Sequence, residues 1–289
     1  MFSDIFSPLD RLKSSSRNQI LVKRDDLIDP YISGNKWRKL KYILKEVEYQ
    51  NKKHIVTFGG AYSNHLVATA AACSRSRLKS TAFVRGESLS NEMLMLCRLF
   101  GMELIFTDRQ AYKDKKTLYE SHFAGNPDTY FVDEGGASYE AVVGCAEIMS
   151  ELPSDIDHIF CAAGTGTTAA GLLKGILRSG SNTQLHVVPV LKGGGFIAEE
   201  ISKYTGNIDQ LTLHLDYHFG GYAKTTPELI GFMKSFTAEE GILIDQVYTA
   251  KMFYALDDLL RKGYFKKGEK IVALHTGGLL GLMGIKEKI

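Results

Sequence analysis

The sequence predicts an α/β protein with mostly parallel sheets and flanking helices, on three observations. Short apolar runs recur along the chain and alternate with longer segments whose apolar residues repeat at helical spacing. Two of these runs end in glycine-rich turns that open a helix: Thr57-Phe58-Gly59-Gly60 ahead of Ser63, and Cys161-Ala162-Ala163-Gly164-Thr165-Gly166 ahead of Thr167. No repeat of fixed period and no low-complexity linker breaks the alternation. A chain of 289 residues is long enough for a large core arranged as two lobes.

Taken in order, Gln19–Arg24 reads as a short strand and Asp25–Pro30 as a turn-rich loop. A helix begins near Asn35, with Leu40, Ile43 and Leu44 on its apolar side and Lys39, Lys41 and Lys45 between them. His54–Phe58 is a buried strand closed by Gly59-Gly60, and an alanine-rich helix follows from about Ser63. Ser80–Val84 is a strand, Asn91–Phe100 a helix, Glu103–Phe106 a strand and Thr129–Val132 another. Tyr139–Leu152 reads as a helix, His158–Ala162 as a strand, and His186–Val190 and Lys270–His275 as later apolar strands. Asp245–Lys251 leads into a further helix.

The bulk composition excludes several classes. Hydrophobic content of 44% and charged content of 24% are those of an ordinary globular protein, and a net charge of +2 without a long basic block argues against nucleic acid as a partner. No apolar run is long enough for a membrane span. Met1–Phe6 lacks the charged start and apolar core of a signal peptide, so a cytoplasmic location is expected. Cys73, Cys97, Cys145 and Cys161 are scattered without metal-ligand spacing and read as small core residues; no metal site is expected.

Four stretches carry chemistry. In Ser33-Gly34-Asn35-Lys36 a lysine stands at the start of a helix, where the positive end of the dipole and partial burial both disfavour its charge. A neutral amine is what attack on a carbonyl requires, although a lysine seen alone is ordinarily solvated. Gly164-Thr165-Gly166-Thr167-Thr168 can wrap an anion with backbone N–H groups, threonine hydroxyls and a helix N-terminus; the lesser alternative is a tight strand-to-helix turn with no ligand. It is neither a P-loop nor the dinucleotide fingerprint, because no Lys-Ser/Thr pair ends it and Ala169 stands where the last glycine belongs. Tyr62-Ser63-Asn64-His65 places polar residues at a strand's carboxyl end, where ligands bind in parallel sheets, although Ser63 could simply cap the helix. Near the C-terminus stand Tyr222, Val247-Tyr248-Thr249-Ala250-Lys251 and His275-Thr276-Gly277-Gly278; each tyrosine alone reads as a packing residue.

In this order the five motifs, Ser-Gly-Asn-Lys, Gly-Gly-x-x-Ser-Asn-His, Gly-Thr-Gly-Thr-Thr, Val-Tyr-Thr-x-Lys and His-Thr-Gly-Gly, resemble the pyridoxal-phosphate enzymes of the tryptophan-synthase-β-like fold. The resemblance is nearest to the branch of 1-aminocyclopropane-1-carboxylate deaminase and D-cysteine desulfhydrase, and it runs from about Val22 to Gly278. It implies pyridoxal 5'-phosphate as cofactor and roles for matching residues. Lys36 would form the Schiff base, Asn64 would bond the cofactor's ring oxygen, and Gly164, Thr165, Gly166, Thr167 and Thr168 would hold its phosphate. Thr276 would lie beside the pyridine nitrogen. Ser63 would take the substrate carboxylate, with Asn64, His65, Tyr222 and Tyr248 also facing the substrate; Lys36, Ser63, Tyr222 and Tyr248 are the catalytic candidates.

Within the branch, deaminases carry glutamate and leucine where this chain has Thr249 and Thr276, and tend to carry glutamine where it has His65; all three match the desulfhydrase pattern. The resemblance thus implies a lyase acting on a small amino acid, D-cysteine first, with 1-aminocyclopropane-1-carboxylate as the alternative. Tyr62 departs from a glutamine common to both subgroups. The expected architecture has a larger cofactor-binding domain, residues 1–53 and 144–289, and an inserted smaller domain, residues 54–143. A homodimer is implied by the resemblance alone. A cofactor-binding protein without turnover and a dinucleotide-dependent oxidoreductase are the readings from other classes.

Overall fold

The structure is a computed structural model, and it describes residues 5–13 and 18–289, apart from the Lys288 side chain. Met1–Asp4 of the opening segment, read above for a signal peptide, lies outside the described residues. Among the described residues ten strands form two sheets. They are β1 (Leu9–Arg11), β2 (Gln19–Lys23), β3 (His54–Gly60), β4 (Lys79–Arg85), β5 (Glu103–Thr107), β6 (Thr129–Val132), β7 (His158–Ala163), β8 (Gln184–Pro189), β9 (Leu211–Leu213) and β10 (Lys270–Leu274). The larger sheet has the order β1-β2-β10-β7-β8-β9 and the smaller β5-β4-β3-β6. Among the described residues only the edge pair β1–β2 is antiparallel, and every other pairing is parallel.

Parallel sheets need both faces covered, which is why their strands read as continuous apolar runs. In β7, Ile159 and Cys161 enter one core while Phe160 and Ala162 enter another on the opposite face. The helices are α1 (Asn35–Tyr49), α2 (Asn64–Arg75), α3 (Glu92–Leu99), α4 (Lys115–Phe123), α5 (Tyr139–Ala146), α6 (Thr167–Ser179), α7 (Ile197–Thr205), α8 (Pro227–Glu240) and α9 (Thr249–Arg261). Helices α5, α6 and α7 supply or flank the core that takes Ile159, and α8 and α9 the one that takes Phe160.

The expected α/β alternation is present, with shifts at the ends. The strand from His54 continues through both glycines to Gly60. The helix expected to reach Leu152 gives way after Ala146 to a 3-10 segment, Glu147–Glu151. No helix among the described residues is long and apolar enough to cross a membrane.

The contact that most shapes the site is α1 on α5 on α6. A Cβ at Gly144 of α5 would stand 2.0 Å from the Arg38 carbonyl oxygen of α1, and one at Gly171 of α6 would stand 2.3 Å from the Cys145 Cβ of α5. Glycine at these two places lets the three helices approach closely, which draws the start of α1 towards the start of α6.

Candidate active site

Lys36 is the second residue of α1. Gly34 just ahead of it has φ 62° and ψ −134°, and a Cβ there would lie 1.9 Å from the Thr276 carbonyl oxygen. That carbonyl accepts the Asn35 N–H at 3.2 Å. The end of β10 is thereby fastened to the start of α1, through a backbone that only glycine adopts without strain. The Asn35 side chain makes a second link, donating from Nδ2 to Thr168 Oγ1 at 2.9 Å and accepting from Lys36 Nζ at 3.3 Å. One asparagine thus joins the lysine to the glycine-threonine loop. By area Lys36 is only partly covered, but protein atoms crowd its amine. Burial, followed by the nearby charge of Lys39, pushes its pKa down to about 7.

Lys39 and Lys41, which alternate with the apolar residues in sequence, are both buried instead of lying on a solvated face, because α5 covers that side of α1. Lys39 Nζ donates to the Gly135 carbonyl at 2.9 Å, and Lys41 Nζ pairs with Glu147 at 2.9 Å. Arg38 is buried between Asp25, at 2.8 Å, and Glu151. Lys23 reaches the same Glu151 at 2.6 Å, so α1 is held to β2 and to the segment after α5 by ions that are all paired.

The glycine-threonine loop follows β7. Gly166 takes φ 79°, and α6 starts at Thr167 with no side-chain cap, which leaves its first turn of N–H groups to serve an anion. Thr165 and Thr167 hydroxyls lie 3.1 Å apart. A Cβ at Gly164 would be 3.3 Å from the Tyr248 ring, so that ring stands directly against the loop.

The second constellation sits at the end of β3. Ser63 occupies the N-cap of α2, yet its side chain makes no cap hydrogen bond, so capping does not account for it. Asn64 Oδ1 is buried with no hydrogen-bond partner, and the amide nitrogen lies 3.1 Å from where a Cβ of Gly278 would be. A buried orphan acceptor costs free energy unless a donor completes it. His65, expected to face the substrate, is corrected by the geometry. Its ring is buried, with Nε2 2.7 Å from Thr57 Oγ1 and Nδ1 3.4 Å from Thr69 Oγ1, leaving no free nitrogen for a ligand. Burial and the charges of Lys36 and Lys39 hold its pKa well below the usual value, so it is neutral. Tyr62 is exposed, with its ring 3.4 Å from where a Cβ of Gly284 would be.

Tyr248 and Tyr222 meet with hydroxyl oxygens 3.3 Å apart and rings edge to face. Burial raises the pKa of both. Asp245, to which the motifs assign no role, fixes Tyr248. Its carboxylate accepts the N–H groups of Val247, Tyr248 and Thr249 at 2.9, 3.0 and 2.8 Å, and the Thr249 hydroxyl at 2.8 Å. Its spacing, an acid just ahead of a helix, is the signal that would have found it. Thr276 is buried, with its carbonyl under Gly34.

A lysine of lowered pKa, an uncapped glycine-threonine loop and an orphan amide oxygen, gathered at the carboxyl ends of strands in two sheets, are the features of one class: an α/β enzyme whose lysine engages a phosphorylated carbonyl compound. The chain belongs to the family described as "Pyridoxal-phosphate dependent enzyme", whose model matches residues 6–277. It is 30% identical, over 98% of its length and 92% of the relative's, to a Pyrococcus horikoshii protein provisionally named as a 1-aminocyclopropane-1-carboxylate deaminase. It is 28% identical to the D-cysteine desulfhydrase of Yersinia enterocolitica, over 97% of this chain and 93% of that one. The crystal structure of an "ACC deaminase homologue" superposes with a TM-score of 0.86 at 28% identity, covering 99% of this chain and 93% of the other. The protein is therefore a pyridoxal-phosphate-dependent enzyme, and the orphan amide of Asn64, the uncapped loop and the Lys36 amine fit that cofactor.

Proposed function

We propose that this enzyme is a lyase that converts D-cysteine to pyruvate, ammonia and hydrogen sulfide. The observation that carries the proposal is the line from the Lys36 amine through Asn35 to Thr168, which holds a reactive amine at a fixed place beside an anion cradle. Lys36 would carry the cofactor, residues 164–168 would hold its phosphate, Asn64 would bond its ring oxygen, and Thr276 would stand by the pyridine nitrogen. Bound pyridoxal phosphate supplies an electron sink for the carbanion left when the α-proton departs. The Lys36 amine would take that proton. Ser63, whose hydroxyl is not spent on its helix, receives the substrate carboxylate. Tyr222 and Tyr248 would face the side chain, whose thiolate is the leaving group, and water would complete the conversion to pyruvate and ammonia. Residues 54–143 form the smaller domain in this reading, 1–53 and 144–289 the larger, and the enzyme is a cytoplasmic homodimer.

Thr249 supports desulfhydration over ring opening. It is wholly buried and bonded to Asp245, whose carboxylate already holds four donors, so neither side chain is spare to strengthen the electron sink. Expulsion of a good thiolate leaving group demands less of that sink than opening a cyclopropane. The second reading, 1-aminocyclopropane-1-carboxylate deamination to 2-oxobutanoate and ammonia, is favoured by the name of the Pyrococcus relative. Parallel assays of sulfide from D- and L-cysteine and of 2-oxobutanoate from the cyclopropane separate the two. Sulfide from D-cysteine with no 2-oxobutanoate is the expected outcome; 2-oxobutanoate alone overturns the proposal in favour of the second reading.

A further inference from the structure

Lys251, in α9 three residues after Tyr248, is wholly buried. Its amine donates to three main-chain carbonyls: His218 at 2.8 Å, Gly221 at 2.8 Å and Val190 at 3.4 Å. An ammonium has three donors, and all three are used. Two of the acceptors belong to the loop 218–224 that presents Tyr222. That loop is strained, with left-handed φ at Phe219 (50°) and Ala223 (56°) on either side of Gly220 (90°) and Gly221 (116°). Non-glycine residues stay in such conformations only where their surroundings over-determine them. Tyr222 does little to hold itself, being 45% exposed and meeting Tyr248 through its ring edge and hydroxyl. Three carbonyl oxygens aimed at one buried point would repel one another without a cation between them.

We propose that Lys251 is a positioning residue, whose ammonium pulls the strained 218–224 loop onto β8 and α9 and so keeps the Tyr222 hydroxyl against Tyr248 at the site. The link to turnover rests on the reading that Tyr222 faces the substrate; the anchoring of the loop does not.

The test uses the cofactor-loaded enzyme and the variants Lys251→Met, Lys251→Ala and Tyr222→Phe. Amides of residues 218–224 exchange hydrogen about tenfold or more faster in Lys251→Met, while the core strand β7 is unchanged. In Lys251→Ala, methylammonium returns the slow exchange by refilling the space between the carbonyls. Lys251→Met lowers kcat/KM in the parent background but adds less than about twofold to Tyr222→Phe, because residues acting through one another are non-additive. Unchanged loop exchange overturns the anchoring, and independent, multiplying losses overturn the action through Tyr222. If Lys251→Met does not fold, Lys251→Gln, which keeps two donors, decides by the same exchange measurement. A Tyr222→Phe enzyme with undiminished turnover defeats the role proposed for Tyr222, while loop exchange still decides whether Lys251 is the anchor.

Discussion

The pKa of Lys36 makes a quantitative prediction about how the apoprotein captures its cofactor. An ordinary lysine, at 10.5, has about one neutral amine in three thousand at pH 7; with its pKa pushed down to about 7, half of the Lys36 amines are neutral there. The structure therefore grants roughly a thousandfold more nucleophile at neutral pH. Covalent attachment of pyridoxal, with the titration of its own ring divided out by a parallel reaction with a free amine of ordinary basicity, is followed by absorbance after mixing with apoprotein between pH 5.5 and 9.5. Below the midpoint the rate rises about tenfold per pH unit; from pH 7 to 8 it rises less than about twofold, and then it is flat. Lys39→Met removes the second cause of the depression and moves the midpoint upward. Stability follows the same titration with a definite sign. Between about pH 7 and 10.5 the unfolded chain binds the Lys36 proton and the folded chain does not, so the Lys36 contribution makes the apoprotein more stable as pH rises through this window. A rate that keeps climbing tenfold per unit to pH 9.5 would refute the reasoning, since it would show an amine of ordinary basicity.

Two substitutions test the framework around that amine. Gly144→Ala drives a methyl group to 2.0 Å from the Arg38 carbonyl and forces α1 away from α5. Thermal melts should show a loss of about 1–3 kcal/mol, and cofactor titration a weakened affinity as Lys36 moves from the 164–168 loop. Thr249→Glu, the exchange that the deaminase pattern suggests, brings a second carboxylate against buried Asp245 in place of a hydroxyl bonded at 2.8 Å. It should cost about 3 kcal/mol or more, a fall in Tm of roughly 6–12 °C, without conferring 2-oxobutanoate production; a stable variant that gains this activity would show that the Asp245 network is not what fixes the site.

Much of the fold was legible because parallel strands buried on both faces are plain apolar runs, and because each glycine-rich strand end announced a loop. Elements whose signals are not apolar were missed. β1 and β9, of three residues each, lie at the sheet edges and are too short to show a pattern. Helix α8 carries its marks at its ends, with Thr226 accepting the Leu229 N–H, Pro227 in the first turn and Gly241 at φ 73° past the last. His65 sits in a motif with Ser63 and Asn64, yet one helical step turned it to Thr57. The ions around Arg38 join residues 13 and 113 positions apart, so no local window could have paired them.

The choice of one lysine among several shows most clearly what three dimensions add. Lys23, Lys39 and Lys251 are at most 2% exposed, and burial lowers the pKa of Lys39, and that of Lys251 to about 8, so a shifted pKa does not single out Lys36. The hydrogen bonds do. Lys23 is spent on Glu151 and the Ser7 carbonyl, each at 2.6 Å, and Lys251 on three carbonyls. Lys39 is tied to Gly135 at 2.9 Å and is buried. Lys36 has a single long bond of 3.3 Å, to the same asparagine that reaches the anion loop, and the partial exposure a reactant needs. Burial lowers an amine's charge, but chemistry also requires a free lone pair on an open path. Of these four lysines only Lys36, placed by Gly34 under the Thr276 carbonyl, satisfies both conditions.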